Sequence, residues 1–279
     1  GKNALGFALR SGASSMSISA FLSTFVQLTL IIWVRYFLVS GLFYWLLWVR
    51  PEEKVSARRL ATRAPRPDVM RHEITMSLAT SLIYAVPGAI LIETYKLGGT
   101  AIYTDINGLA GWAYIPLSAL FYLFLHDTWF YWSHRAMHDP RLFKAMHLTH
   151  HRSREPSPWA AFSFHPWESI ASAWLLPLAA FFVPIHLGAV VFLLVFMTVN
   201  SVANHAGWEI LPRKITEGPI GGWLISASHH DVHHKDYDAN YGLYFRFWDR
   251  LMGTDRGLAE PKTGPIAAAR PASRASAGA

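Results

Sequence analysis

The sequence predicts an all-α integral membrane protein. About four transmembrane helices, some short or re-entrant, bring a histidine-rich metal site to the cytoplasmic membrane face. Three observations lead there. Apolar residues make up 52% of the 279 residues and charged residues only 15%, where soluble domains carry about a quarter charged. The apolar residues lie in long runs. Nine of the fourteen histidines fall in three short windows near the ends of those runs: His134 and His138; His147, His150 and His151; His229, His230, His233 and His234. The spacing His-x-x-His-His occurs twice, about eighty residues apart, which sets the pattern apart from a chance surface cluster. Neutral imidazole is a common ligand of iron, copper and zinc.

Residues 18–49 are almost wholly apolar, with Arg35 the single charge. At 1.5 Å per residue this exceeds one bilayer core, so the run reads as one long, tilted or bent helix. Arg35 reads either as an interior-facing group or as an interfacial arginine whose charge reaches the headgroups. Residues 50–72 carry Arg50, Lys54, Arg58, Arg59, Arg63, Arg66 and Arg71, as expected of a cytoplasmic loop, and His72 is expected to be solvated there. A second span covers 74–97, with Pro87 inside it as an expected kink. The link 98–108 has no Lys or Arg and suits the far side. A third span, 109–131, returns to the cytoplasm and delivers His126, His134 and His138 there.

Residues 133–167 are polar. Residues 168–204 are apolar again, interrupted by Pro177 and Pro184. If His151 and His230 serve one site, the chain between them crosses the membrane an even number of times, which two short or re-entrant helices turning near Pro184 accomplish. His186 lies near that turn, about 24 Å from the clusters along a helix of sixteen residues, and is excluded as a ligand. Residues 1–258 form a single domain, with the histidine-bearing region at 115–256. The segment 259–279 reads as a disordered tail. No cleavable signal peptide is apparent in the first seventeen residues.

Twelve Trp and eleven Tyr suit membrane interfaces. The net charge of +7 points, with this apolar load, to an anionic lipid surface and not to nucleic acid. The absence of cysteine excludes disulfides, zinc–thiolate sites and iron–sulfur clusters.

His134 and His138, four apart, share one helix face. In each His-x-x-His-His the first, second and third histidines lie at i, i+3 and i+4, so all three can converge on a pair of ions, and one member of a His-His pair can ligate one ion while its neighbour reaches the other. His205, in Asn204-His205-Ala206-Gly207, emerges on the same face and is a candidate ligand. His126 is either a ligand or a deeper core histidine, and His229 is an additional candidate. His165 suits a capping or supporting role. Asp127, Asp139, Glu168, Asp231 and Asp236 are candidates to receive the second ring N–H of a ligand, although Asp127 also suits a pairing with Arg135. Trp129, Trp132, Trp159 and Phe164 could line a lipid tunnel or pack as core and interface aromatics.

At these residues the chain resembles the membrane fatty acid hydroxylase/sterol desaturase superfamily, over roughly 115–256. The resemblance runs through Asp127-Thr128-Trp129-Phe130-Tyr131-Trp132-Ser133-His134-Arg135-Ala136-Met137-His138, His147-Leu148-Thr149-His150-His151, Phe164-His165-Pro166-Trp167-Glu168, His230-Asp231-Val232-His233-His234, Asn240-Tyr241-Gly242 and Trp248-Asp249-Arg250-Leu251-Met252-Gly253-Thr254. The sterol C-5 desaturase branch is the nearest likeness. The resemblance implies a four-helix stem and a cytoplasmic cap with two iron ions. It implies His134, His138, His147, His150, His151, His205, His230, His233 and His234 as ligands. It further implies an oxidoreductase that uses O2 to hydroxylate or desaturate a lipid, sterol-like or fatty acyl, with zinc possible by substitution. No flavin or haem motif is visible, so electrons are expected from a separate ferredoxin, cytochrome or reductase. The competing readings are a histidine-rich membrane metal transporter and a non-catalytic metal-binding membrane protein.

Overall fold

Four helices form the stem. In a computed structural model that describes residues 15–51, 57–262 and 266, they are α1 (Ile18–Tyr44, continued by a π-turn Trp45–Val49), α2 (Pro67–Lys96), α3 (Gly108–Met137) and α8 (Leu187–Asn204). All four are long and apolar enough to cross a bilayer. Residues 1–14 and the tail at 263–265 and 267–279, like Lys54 in the basic loop, lie outside the described residues.

The helix ends follow local chemistry. Ser17 caps α1 by accepting the Ala20 N–H at 3.1 Å. α2 starts at Pro67, seven residues before the apolar run. Pro67 takes the first helical position and Asp68 faces the positive end of the dipole, while Lys96 occupies the last turn. His72 therefore lies on α2 and is half-buried, not solvated in a loop. α3 runs six residues past its expected end, which carries His134 on its last turn and leaves His138 as its C-cap. α1 and α2 pack antiparallel. The Thr24 hydroxyl meets Glu93 near one end, and the Trp33 indole donates to the Leu78 carbonyl at 3.4 Å further along.

The descending leg after the cap is not one continuous span. It is built from α6 (Pro166–Ala173) and α7 (Leu175–Ala179), followed by a turn through Pro184. Two short strands then pair in parallel: β1 (Ile102–Tyr103) and β2 (Ile185–His186), with Ile102 opposite Ile185 and Tyr103 opposite His186. This pairing fixes the Pro184 turn beside the α2–α3 link, at the end of the stem away from the histidine clusters. α8 climbs back from there, so the chain after His151 descends and returns as the sequence requires.

The cap comprises α4 (Pro140–Met146), α5 (Leu148–His151), a 3-10 turn (Pro158–Phe162), α9 (Arg213–Thr216), α10 (Ala227–Lys235) and α11 (Phe247–Leu251). Buried polar ties join it to the stem. The Asp127 carboxylate on α3, fully buried, accepts the backbone N–H groups of Leu243, Tyr244 and Phe245 at 3.1, 2.7 and 3.2 Å. Arg135 turns instead to the Tyr131 hydroxyl at 3.1 Å, so the expected Asp127–Arg135 pair is not formed. Glu73 on α2, also fully buried, accepts the Ser153 hydroxyl at 2.6 Å through one oxygen and the Ser157 hydroxyl through the other. The Trp159 and Phe162 carbonyls reach down between the helices to Tyr36, Ser77 and Thr80.

Leu60 and Ala61 donate to the Gly207 carbonyl at 2.9 and 3.0 Å, which seats the basic segment beneath the cap. Gly207 has φ +74°, and a Cβ there would stand 2.9 Å from the Trp48 ring, so the turn that follows His205 requires glycine. The expected tail begins docked: Ala259 donates to Ser228 and Lys262 to Arg59 through the backbone, at 2.9 and 2.7 Å.

Glu73→Ala should lower the apparent thermal midpoint of the purified protein by several degrees, equivalent to about 2–4 kcal/mol, because it strands two buried serine hydroxyls. Glu73→Gln should fall between that variant and the wild type. Unfolding scans in detergent measure both.

Candidate metal centre

All nine histidines assigned as ligands meet at the junction of α3, α8 and the cap. They form two groups in which one ligand atom from each member lies within 4.8 Å of the others. One group is His134, His138, His147, His151 and His233; the other is His150, His205, His230 and His234. Eight of the nine are buried and His138 is half-buried. The groups adjoin, with the His151 and His234 rings 5.0 Å apart.

The two His-x-x-His-His motifs contribute crosswise. The i and i+4 histidines of the first motif, His147 and His151, join the five-ring group, and His150 joins the other. In the second motif His230 and His234 join the four-ring group, and His233 joins the first. Adjacent histidines on a helix point about 100° apart, so each His-His pair straddles the boundary between the groups.

Backbone carbonyls orient three of the rings. His134 Nδ1 donates to the Tyr241 carbonyl at 2.8 Å, His233 Nδ1 to Ala239 at 2.7 Å and His205 Nδ1 to Ser201 at 2.7 Å. A carbonyl only accepts, so the neutral rings carry their proton on Nδ1 and turn a bare Nε2 inward. The inward nitrogens crowd together. His205 Nε2 lies 3.2 Å from His150 Nε2 and 3.0 Å from His230 Nε2, and His230 Nε2 lies 3.1 Å from His234 Nε2. In the other group the His134–His147 and His151–His233 separations are 2.9 and 3.1 Å. A neutral imidazole has one proton, so the contacts of the four-ring group cannot all be hydrogen bonds. A shared cation satisfies every lone pair at once. With metal–nitrogen bonds of about 2.1 Å, neighbouring ligands at right angles stand about 3.0 Å apart, which is the spacing seen. The donor set fits a pair of transition-metal ions.

The loop that supplies two of the orienting carbonyls is itself held firmly. Asn240, at φ 57°, donates to the His229 and Gly257 carbonyls at 2.9 and 3.0 Å and accepts the Arg256 N–H at 2.8 Å. The Asp249 carboxylate accepts the N–H groups of Tyr241 and Gly242, both at 2.8 Å.

The remaining expected residues lie outside the two groups. His126 shares a 3.0 Å hydrogen bond with the Tyr244 hydroxyl, and His229, though fully buried, comes no nearer a carboxylate than 3.7 Å from Asp255. His165 accepts the Trp167 N–H at 3.3 Å and caps α6. Asp127 holds the 243–245 backbone, and Asp231 pairs with Lys235 at 2.6 Å. Neither touches a ring of the groups. Asp139 caps α4, and Asp236 pairs with Arg256. Of the five acids considered, Glu168 alone contacts a ring of the groups: its Oε1 lies 2.8 Å from His147 Nδ1. His186 bonds to the Thr104 carbonyl at the far end.

A cavity of about 30 Å³ opens beside both groups, lined among others by Phe130, His150, Phe164, Asn204, His205 and Leu243. It has room for a molecule of a few atoms. Phe164 belongs to it. Trp129 and Trp132 are about half exposed on the outside of α3, and Trp159 packs against Tyr36, Phe37 and Tyr44.

Residues 119–254, from within α3 to the end of the cap, match the family model for fatty acid hydroxylase. The matched segment is 136 of the 279 residues, just under half of the chain. All nine converging histidines lie inside the matched segment. Similar proteins include the Delta(7)-sterol 5(6)-desaturase ERG3B of Gibberella zeae, 28% identical over 208 residues, an alignment that covers 72% of this chain and 61% of that protein. The lathosterol oxidase of Mus musculus is 28% identical over 183 residues, covering 65% of this chain and 60% of that protein. The lathosterol oxidase of Homo sapiens is 34% identical over 142 residues, covering 50% and 45%. The chain thus spans about three-fifths of the length of the curated relatives that match it over the longer stretches. No solved structure matches it.

Burial sets the protonation state of the histidine centre. Desolvation, reinforced by neighbouring rings, pushes His147, His150, His151, His230, His233 and His234 well below the usual 6.5. Burial also draws His205 down to about 4, and burial with the His134 ring draws His138 down to about 2. All are therefore neutral, ligand-ready imidazoles at neutral pH. As pH falls below about 6.5 the unfolded chain takes up protons that the folded chain refuses, so acidification disfavours the fold and metal retention together. The thermal midpoint and the metal content should stay level from pH 8 to 7 and decline steadily from pH 6.5 to 5. Unfolding scans and metal analysis across that series check this.

Proposed function

We propose that the chain is an O2-dependent membrane oxidoreductase that hydroxylates or desaturates an unactivated C–H position of a lipid, sterol-like or fatty acyl. The observation that carries this reading is the set of bare histidine nitrogens facing one another, at ligand spacing, at one end of a four-helix membrane stem. The likeness to sterol desaturases and lathosterol oxidases supports the reaction class and a membrane-lipid substrate. His134, His138, His147, His151 and His233 would hold one iron and His150, His205, His230 and His234 the other. Bound there, the iron pair supplies the O2 activation and two-electron oxidation that no side chain offers.

The protein's part is to orient and to exclude. The carbonyls of Tyr241, Ala239 and Ser201 keep three rings turned inward. Phe130, Phe164 and Leu243 keep water from the cavity wall. Hydroxylation consumes O2, two electrons and two protons and gives an alcohol and one water; desaturation with the same inputs gives an alkene and two waters. A separate donor (ferredoxin, cytochrome or reductase) would supply the electrons. The basic run between residues 50 and 72 favours a cytoplasmic cap. A transport role would set the ligands midway along the spans, whereas here they follow the ends of α3 and α8. A closed structural site would be tetrahedral, whereas one group here offers five nitrogens.

Expressed in a host lacking it, the wild type should yield lipid that has gained one oxygen or lost two hydrogens, resolved by mass spectrometry of extracts. His150→Ala should reduce that product to below about a hundredth, and His186→Ala, at the far end, should leave it unchanged. Full turnover by His150→Ala would overturn the assignment.

A further inference from the structure

Nine neutral imidazoles bring no charge. Two divalent cations among them would concentrate four positive charges in a space closed to water, and buried charge is costly unless compensated. The surrounding carboxylates are nearly all committed elsewhere. Asp127 serves three backbone N–H groups, Asp231 serves Lys235, Asp249 serves Tyr241 and Gly242, and Asp255 is held by Arg246 at 2.7 and 2.9 Å. Glu73 is engaged by two serines.

Glu168 differs. It sits in the first turn of α6, 2% exposed, with Oε1 2.8 Å from Nδ1 of His147, itself 1% exposed. The approach is off the line of a formed hydrogen bond, and neither carboxyl oxygen makes a well-formed side-chain hydrogen bond among the described residues. Glu168 also lines the cavity, along with His147 and His150. Besides the His165 backbone at the start of α6 and the nearby Tyr84, the group this buried carboxyl meets is the outward nitrogen of one ring of the five-histidine group.

We propose that Glu168 is the positioning residue of the five-histidine group and the counter-charge of its ion. By engaging Nδ1 of His147 it leaves Nε2 as the free nitrogen, aimed at the centre. The inference rests on the two-metal reading of the site. His147 belongs to the five-histidine group and not to the other, so Glu168 would act on one ion of the two.

The test is retention of metal by the full-length protein in detergent, loaded anaerobically with Fe(II) or, for its visible spectrum, Co(II), and challenged with graded chelator. The wild type holds two ions per chain. Glu168→Gln, nearly the same shape without the charge, should hold one ion as the wild type does and release the other at a chelator strength about 10–100-fold lower. The Co(II) bands should shift, while the thermal midpoint of the metal-free protein stays unchanged. Glu168→Asp keeps the charge one methylene further back and should recover part of the lost retention; it also carries the test if the glutamine variant does not fold. Equal retention of both ions and an unshifted spectrum in Glu168→Gln would overturn the role of Glu168 and leave the metal centre standing. A wild type that takes up no ion would overturn both.

Discussion

Lone pairs set the terms for this protein. Imidazole nitrogens at about 3 Å from one another repel unless a proton or a cation lies between them, and here three of the protons are drawn away to backbone carbonyls. The rings remain together because the fold gives them nowhere else to point. α3 ends where His134 and His138 must face the cap, α8 ends one residue before His205, and the Ala239–Gly242 loop offers the Ala239 and Tyr241 carbonyls at the right height. That loop depends in turn on Asn240 in a left-handed backbone conformation and on Asp249 gathering two N–H groups. Most of the buried polar chemistry outside the two groups keeps this arrangement in register with the stem.

Stem and cap are joined through charge kept out of water. Asp127 and Glu73 each rise from a membrane helix and gather donors from the cap: backbone N–H groups for the first, serine hydroxyls for the second. Both are held by several donors, which offset the cost of their burial. The short strand pair at the opposite end does the complementary task. By tying the Pro184 turn to the α2–α3 link, it fixes how far the descending leg reaches, and so the height at which α8 delivers His205.

Much of this was legible in the sequence. The apolar runs gave the four long helices, and the prolines at 177 and 184 marked the broken descending leg. The nine ligand candidates were visible because histidine is scarce enough for clusters to stand out and because i, i+3, i+4 spacing has one meaning on a helix. The supports were less visible. Ala239, Tyr241 and Ser201 act through carbonyls that every residue possesses, so no side chain announces them. Asp127 and Asp231 stand next to histidines in the sequence and look like their partners, yet Asp127 is claimed by the 243–245 backbone, which only the tertiary fold brings up, and Asp231 by Lys235 one helical turn away. Glu168, seventeen residues past the second cluster, reaches His147 because the chain doubles back through the 3-10 turn. His229 adjoins His230 but points away from it, since a helix turns each successive residue by about 100°, and His126 lies eight residues, about 12 Å, further down α3 than His134.

The crosswise sharing of the two His-x-x-His-His motifs bears on biogenesis. Each centre draws on both motifs, and the second motif follows the fourth span. A nascent chain halted before residue 230 therefore completes neither group, although His134, His138, His147 and His151 are already present. Each group gains its last histidines only after the fourth long helix has been made, so the full donor set of either group is a product of late synthesis.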